Sequence, residues 1–250
     1  MVGVGQTIDW KRFRAVLFDL DGVLTDTARL HSMAWKQTFD EYLRWRQRST
    51  AVEFIPFDED EDYRRFVDGK PRYEGVDAFL RSRAVELPWG SPDDEPGYET
   101  VCAIGNRKNV LVGRLMAERG VDVYPTSRAV LSTLRDRGVR LAVVTSSANA
   151  AAVLEAAQLA EFFEVTVDGI VAASLGLRGK PQPDPFLAAV GQLEMTPDEA
   201  IVVEDAISGI KAGVAGGFGL VVGVARHGNR LDLEAAGAHL VVGDASELIR

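Results

Sequence analysis

The 250-residue sequence contains one cysteine, Cys102, so no intrachain disulfide can form. That residue suits a small core or loop position better than a nucleophile's. No apolar stretch is long enough to span a bilayer, and no secretory h-region is visible. Asp9, Lys11, Arg12 and Arg14 precede the first apolar run, which is itself short. A cytoplasmic location without a membrane partner is expected. Positive charge is also scarce. There are 28 Lys and Arg against 37 Asp and Glu, a formal net charge of −9, which argues against nucleic acid as a partner. Phosphorylated small molecules stay open, because a local cationic cluster and a divalent cation can reverse the sign at one site. Internal repeats and low-complexity tracts are absent. The hydrophobic share of 46% indicates a soluble globular protein, either one large domain or two modest ones.

Short Val/Ile/Leu-rich runs recur at 14–19, 139–145, 163–167, 200–204, 219–224 and 239–242. Most show little period-2 alternation, as expected of strands covered on both faces. Helical patterns lie between them at 127–137, 148–159, 184–193 and 206–215. This alternation predicts an α/β fold with a doubly wound, Rossmann-like parallel sheet and active residues at the carboxyl ends of its strands. The alternation breaks between about residues 27 and 122, where apolar spacing is helical (Met33, Trp35, Phe39, Leu43). Residues 27–122 therefore read as an inserted α-helical cap domain, with 1–26 and 123–250 forming the catalytic core. The segment 87–100 is dense in turn formers and reads as an irregular loop. Tyr124-Pro125 marks the return to the core.

The run Ala15-Val16-Leu17-Phe18-Asp19-Leu20-Asp21-Gly22 is a hydrophobic strand ending in two carboxylates and a glycine. Carboxylates at a strand mouth suit a nucleophile beside a proton donor, and Gly22 lets the chain turn away. Three further strand ends fit the first. Thr145-Ser146-Ser147 offers hydroxyls and backbone N–H groups before a helix. Lys180 sits in a proline-rich loop. Glu204-Asp205 closes another strand. Singly, these read equally well as a helix N-cap, a surface lysine and a solvated turn. Together they supply the roles phosphoryl transfer requires. Asp19 attacks phosphorus, giving an aspartyl-phosphate. Asp21 protonates the leaving oxygen and later deprotonates the incoming nucleophile. Lys180 and Thr145 hold the non-bridging oxygens. Asp19, Asp205 and the Asp21 backbone carbonyl bind Mg2+, with Glu204 assisting through water. A signalling receiver domain uses similar parts in another order, with the acidic pair first, on about half this length.

The set Asp19-x-Asp21, Thr145, Lys180 and Glu204-Asp205 resembles the four motifs of the haloacid dehalogenase superfamily, over about residues 14–245. Within it, Thr25-Asp26-Thr27, His31, Ala34-Trp35-Lys36, Arg107-Lys108-Asn109, Asp122-Val123-Tyr124-Pro125, Val171-Ala172-Ala173 and Lys180-Pro181-x-Pro183-Asp184 look like the beta-phosphoglucomutase-like subfamily. That resemblance implies a Mg2+-dependent phosphomutase that converts beta-glucose 1-phosphate to glucose 6-phosphate through glucose 1,6-bisphosphate. The alternative is a small sugar-phosphate phosphatase on the same fold. The resemblance further implies that Thr27 and His31 orient Asp21, and that Trp35 and Lys108 face the sugar. Arg72, and with it Lys70, would serve the non-transferring phosphate. Ser146, Ser147 and Asn149 would serve as core-side phosphate contacts. Where the mutases carry a lysine between Ser147 and Asn149, this chain has Ala148, which removes one charge-assisted contact. The cap is also lengthened by the segment near 87–100. A catalytically silent relative would have lost the nucleophile, the lysine or a metal ligand, and this chain keeps all of them. A monomer or weak homodimer is expected.

Overall fold

In the computed structural model, residues 8–48, 53–226 and 228–249 are described. They divide into two units: Thr27–Gly120, and a second unit that joins the segment ending at Asp26 to the segment starting at Val121. The carboxyl-side boundary thus falls at Gly120, slightly before the 122 read from the sequence. Gly120 takes φ 79° and ends a helix there.

The Thr27–Gly120 unit is helical. Helix α1 (Ala28–Gln47) buries Leu30, Ala34, Trp35, Phe39, Tyr42 and Leu43, a spacing that keeps them on one face. A single π turn over Tyr63–Val67 precedes α2 (Arg72–Ser82). After an irregular stretch, α3 (Val101–Arg119) begins at Thr100, whose side chain accepts from the Ala103 N–H. Aromatic rings fill the core. Trp35 stacks on Phe39 with centroids 5.1 Å apart, and Phe39 meets Phe79 at 4.0 Å. Lys36 and Asp40 pin the chain at Phe57. Lys36 donates to the Phe57 carbonyl, and Asp40 accepts from the Phe57 N–H, each at 2.8 Å.

The second unit is an α/β sandwich. Strands β1 (Ala15–Phe18), β2 (Arg140–Val144), β3 (Val165–Val167), β4 (Ala200–Glu204), β5 (Leu220–Val224) and β6 (Leu240–Val242) form one sheet in the order β3-β2-β1-β4-β5-β6. Every pairing is parallel. The connecting helices are α4 (Ser127–Asp136), α5 (Ala150–Ala156), α6 (Gly169–Ser174), α7 (Asp184–Gln192), α8 (Ile207–Ala215) and α9 (Arg230–Ala235). Parallel pairing requires such crossovers, and they cover both faces. This is why β1, β4 and β5 are buried at every position. The strand order reverses direction at β1, with β2 on one side and β4 on the other, which makes its carboxyl end the switch point of the sheet.

Candidate active site

Register brings the predicted motifs together. Phe18 pairs with Val143 on β2 and Val203 on β4, so Asp19, Thr145 and Glu204 all leave the sheet at one edge. The Asp19 N–H still donates to the Val203 carbonyl at 2.9 Å, and the Thr145 N–H to the Val167 carbonyl at 3.0 Å. Lys180 reaches in from the loop before α7. Its Nζ donates to Asp19 Oδ1 and Glu204 Oε1, both at 2.6 Å, and to the Val144 carbonyl at 2.8 Å. All three ammonium protons are therefore placed. Lys180 is 1% exposed, which removes the surface-lysine alternative.

Charge is unevenly matched here. Burial alone would lower the Lys180 pKa, but Asp19 and Glu204 outweigh it and hold the ammonium above its ordinary range. Asp19 goes the other way for a carboxylate. Burial pushes it well up, Lys180 pulls it down, and Glu204 and Asp21 add to the rise. One ammonium shared by two carboxylates cannot fully compensate either.

Glu204 is fully buried, and both of its oxygens are used. Oε1 takes Lys180, and Oε2 accepts from the Asp205 and Ala206 N–H groups at 3.0 and 2.9 Å. Glu204 thus holds Lys180 through Oε1 while Oε2 is anchored on the backbone. Asp205 lies against Gly22, where a Cβ would sit 1.8 Å from its Oδ2. Gly22 also holds φ 88°, open to glycine at little cost. Among the described residues no three His, Cys, Asp or Glu side chains converge as a ready-made metal cage. Asp19 and Asp205 follow the neighbouring strands β1 and β4, and their carboxylates, with the Asp21 carbonyl, would offer a metal oxygen donors alone. Such a set fits a hard divalent cation that keeps water and a substrate oxygen in its shell.

Thr145 Oγ1 donates to Asp21 Oδ2 at 3.3 Å, which ties the hydroxyl motif to the acid/base candidate. The turn that follows is partly self-satisfied. The Ser147 N–H donates to Thr145 Oγ1 at 3.1 Å and the Asn149 N–H to Ser147 Oγ at 3.2 Å. The Ser147 and Asn149 backbone N–H groups are thus engaged within the turn itself. Ala148 beside them is half-buried.

The helical unit carries the other candidates. Thr27 is buried and its carbonyl accepts from the His31 N–H at 3.0 Å. Lys108, also buried, meets His31 Nδ1 at 2.9 Å and lies 4.8 Å above the Trp35 ring. Thus His31, Trp35 and Lys108 form one cluster. Arg72, at the start of α2, donates to Asn106 Oδ1 at 3.3 Å. Lys70 stands apart, its ammonium on the Arg65 carbonyl at 3.0 Å, where it caps the π turn.

Two residues here escaped the sequence reading. Arg226 donates to the Gly22 and Val23 carbonyls, each at 3.2 Å, stacks on Tyr124 at 3.6 Å, and pairs with Asp244 at 2.7 Å. It clamps the loop that begins at Asp21. Asn229 Nδ2 donates to the Asp205 carbonyl at 3.0 Å. Both follow β5, and that polar run at another parallel strand's carboxyl end was the available signal.

These parts agree with comparisons to known proteins. The family described as haloacid dehalogenase-like hydrolase matches residues 13–217. The chain is 48% identical to a beta-phosphoglucomutase of Mycobacterium bovis over 242 residues, 96% of this chain and 92% of that protein. It is 31% identical to a beta-phosphoglucomutase of Bacillus subtilis over 239 residues, 94% and 91% of the two. A solved beta-phosphoglucomutase from Clostridium difficile matches with a TM-score of 0.73 at 25% identity, covering 94% of this chain and 93% of that one. The chain belongs to the haloacid dehalogenase superfamily. Within it, the chain falls in the beta-phosphoglucomutase-like subfamily and is an enzyme. No helix among the described residues is long and apolar enough to cross a membrane.

Proposed function

We propose that the protein is a Mg2+-dependent beta-phosphoglucomutase that works through an aspartyl-phosphate on Asp19. The observation that carries this reading is Lys180 bridging Asp19 and Glu204 at 2.6 Å each, beside the Thr145–Asp21 hydrogen bond. Lys180 orients Asp19 through Oδ1. The mycobacterial relative at 48% identity supports the mutase assignment.

In the proposed cycle, the sugar 6-hydroxyl attacks the phosphorus of phospho-Asp19 and gives up its proton to Asp21. The Asp19 O–P bond breaks, and glucose 1,6-bisphosphate forms. The bisphosphate turns round, and Asp19 attacks the phosphorus at C1. That P–O1 bond breaks while Asp21 returns its proton to O1, releasing glucose 6-phosphate and the phosphoenzyme. Lys180 and the Thr145 hydroxyl stabilise the equatorial oxygens as their charge shifts. Asp19, Asp205 and the Asp21 carbonyl would hold Mg2+, whose charge would offset repulsion between the anionic nucleophile and the phosphate. Arg72 grips the phosphate that is not being transferred, and His31, Trp35 and Lys108 face the sugar.

The test supplies beta-glucose 1-phosphate, Mg2+ and a trace of glucose 1,6-bisphosphate. Glucose 6-phosphate is the expected product. Inorganic phosphate without glucose 6-phosphate would favour the second reading, a sugar-phosphate phosphatase. Ala148 favours that alternative, since a charge-assisted phosphate contact is missing there.

A further inference from the structure

We propose that Asn106 is a positioning residue: it ties the irregular segment 91–100 to Arg72 and holds that guanidinium for the substrate's non-transferring phosphate. The inference rests on the reading of Arg72 as a phosphate contact.

Asn106 lies on the first turns of α3, and its side-chain amide uses every hydrogen-bonding position it has. Nδ2 donates to the Pro92 carbonyl at 3.0 Å and the Asp94 carbonyl at 2.8 Å. Oδ1 accepts from Tyr73 Oη at 2.8 Å and Arg72 Nη1 at 3.3 Å. The loop it grips is itself closed. Asp94 Oδ2 accepts from the Ser91 N–H at 3.1 Å and Thr100 Oγ1 at 2.5 Å. Gly90, at φ 78°, leaves room for that carboxylate, because a Cβ there would sit 2.2 Å from Oδ2. Gly105 does the same on the other side. A Cβ on it would lie 2.7 Å from Tyr73 Cδ1 and 3.3 Å from Arg72 Cδ, so glycine lets the start of α2 close on α3.

Arg72 is half-buried and forms no ion pair with a carboxylate among the described residues. Its partners are the Asn106 amide oxygen and the Tyr73 ring, 5.2 Å away. Burial pushes its pKa down, and no neighbouring carboxylate pulls it back up. A guanidinium has five N–H donors in a rigid fork suited to phosphate. A partly desolvated one without a counter-ion favours an anionic ligand strongly. The identity of the partner matters. An amide oxygen fixes the direction of the fork without cancelling its charge, whereas a carboxylate would cancel it. The lengthened loop thereby contributes to the site at a distance. It occupies both amide protons of Asn106, so that Oδ1 can face only Arg72 and Tyr73.

The test compares Asn106→Ala, Asn106→Asp, Arg72→Ala and the Arg72→Ala/Asn106→Ala double variant. It is read on whichever sugar phosphate the enzyme turns over, so it does not depend on mutase or phosphatase outcome. Asn106→Ala should raise KM roughly tenfold with kcat changed by less than about twofold. Asn106→Asp should raise KM more than alanine does, because its carboxylate neutralises Arg72 and also faces the Pro92 and Asp94 carbonyls without a donor. The part of its effect that acts through Arg72 is the part that disappears when Arg72→Ala is added. In the Arg72→Ala background, Asn106→Ala should add less than about twofold. The inference is overturned if Arg72→Ala raises KM while both Asn106 variants leave it unchanged, or if the Asn106 effect persists without Arg72. If Arg72→Ala itself leaves KM unchanged, the reading of Arg72 fails instead. Should Asn106→Ala not fold, Asn106→Asp made with and without Arg72→Ala decides: an aspartate effect on KM that persists without Arg72 overturns the inference.

Discussion

A Cβ built on Gly209 would lie 1.8 Å from Oε1 of Glu204, the same oxygen that accepts the hydrogen bond from Lys180. The first turn of α8 thus presses its backbone against the carboxylate that aims the lysine. Gly209→Ala must push Glu204 aside, and Lys180 follows it away from Asp19. Misplacement of that size costs on the order of a hundredfold in kcat, with KM little changed. A control separates this from a general helix effect. Gly191 in α7 has open space around its missing Cβ, so Gly191→Ala should add about 0.5–1 kcal/mol of stability and leave kcat unaltered. Steady-state kinetics and thermal melts of the two variants check the contrast. Equal kcat values for both would remove the assigned role of Glu204.

The division of labour between Asp19 and Asp21 depends on the leaving group. With a sugar phosphate the departing alkoxide needs a proton, so Asp21→Asn should slow phosphoenzyme formation by about 10²–10⁴. With an acyl phosphate the leaving group departs without one, and the same variant should lose much less. Asp19→Asn should abolish covalent phosphate labelling with both donors. Rapid-quench labelling measures all four combinations. An Asp21→Asn defect of equal size on both donors would mean that residue acts by geometry rather than proton transfer.

Gly22 bears on the cation. Its φ of 88° and the 1.8 Å approach of a hypothetical Cβ to Asp205 Oδ2 leave no room for a side chain. Gly22→Ala should displace Asp205 and strain the loop at once. The expected result is at least a roughly tenfold rise in the Mg2+ concentration needed for half-maximal activity, an order-of-magnitude figure for a disturbed ligand shell. Chelation should abolish turnover in the unmodified enzyme. Activation at unchanged Mg2+ would separate Asp205 from cation binding.

The legibility of this chain follows the nature of its signals. The six strands could be read because each is a short apolar run closed by polar residues, and β1 and β4 end on acids. Helices α6 and α9 escaped notice for a physical reason. Helix α6 buries none of its residues and α9 buries only Leu233, so neither leaves an apolar stripe in the sequence. The turn formers of 87–100 announced an irregular segment, but not its purpose, which depends on Asn106 reaching two of its carbonyls. Arg226 and Asn229 were hidden likewise, since their contacts are with residues about two hundred and about two dozen positions away. Glu204 was seen as an assistant to the metal through water, and only the folded chain shows that it also holds Lys180.

Asp244 anchors the Arg226 clamp, and its titration gives that clamp a pH signature. Burial would raise its carboxyl, but hydrogen bonds from Ser246, Arg226 and Thr126 prevail and hold it at about 2, below the ordinary 3.8. A depressed acid binds fewer protons in the folded state, so its stabilisation is present above about pH 5 and fades as pH falls from about 4 toward 2. The full shift would correspond to a little over 2 kcal/mol, and solvent screening at this partly exposed group reduces that to about 1 kcal/mol. Asp244→Asn should therefore lower unfolding free energy by about that amount at pH 7 and at pH 5. The gap to the unmodified protein should close steadily below pH 4, because protonation then costs the native protein the same interaction. Urea titrations at pH 7, 5 and 3 measure the trend, and a gap that stays constant down to pH 3 would show the loss to be packing rather than charge.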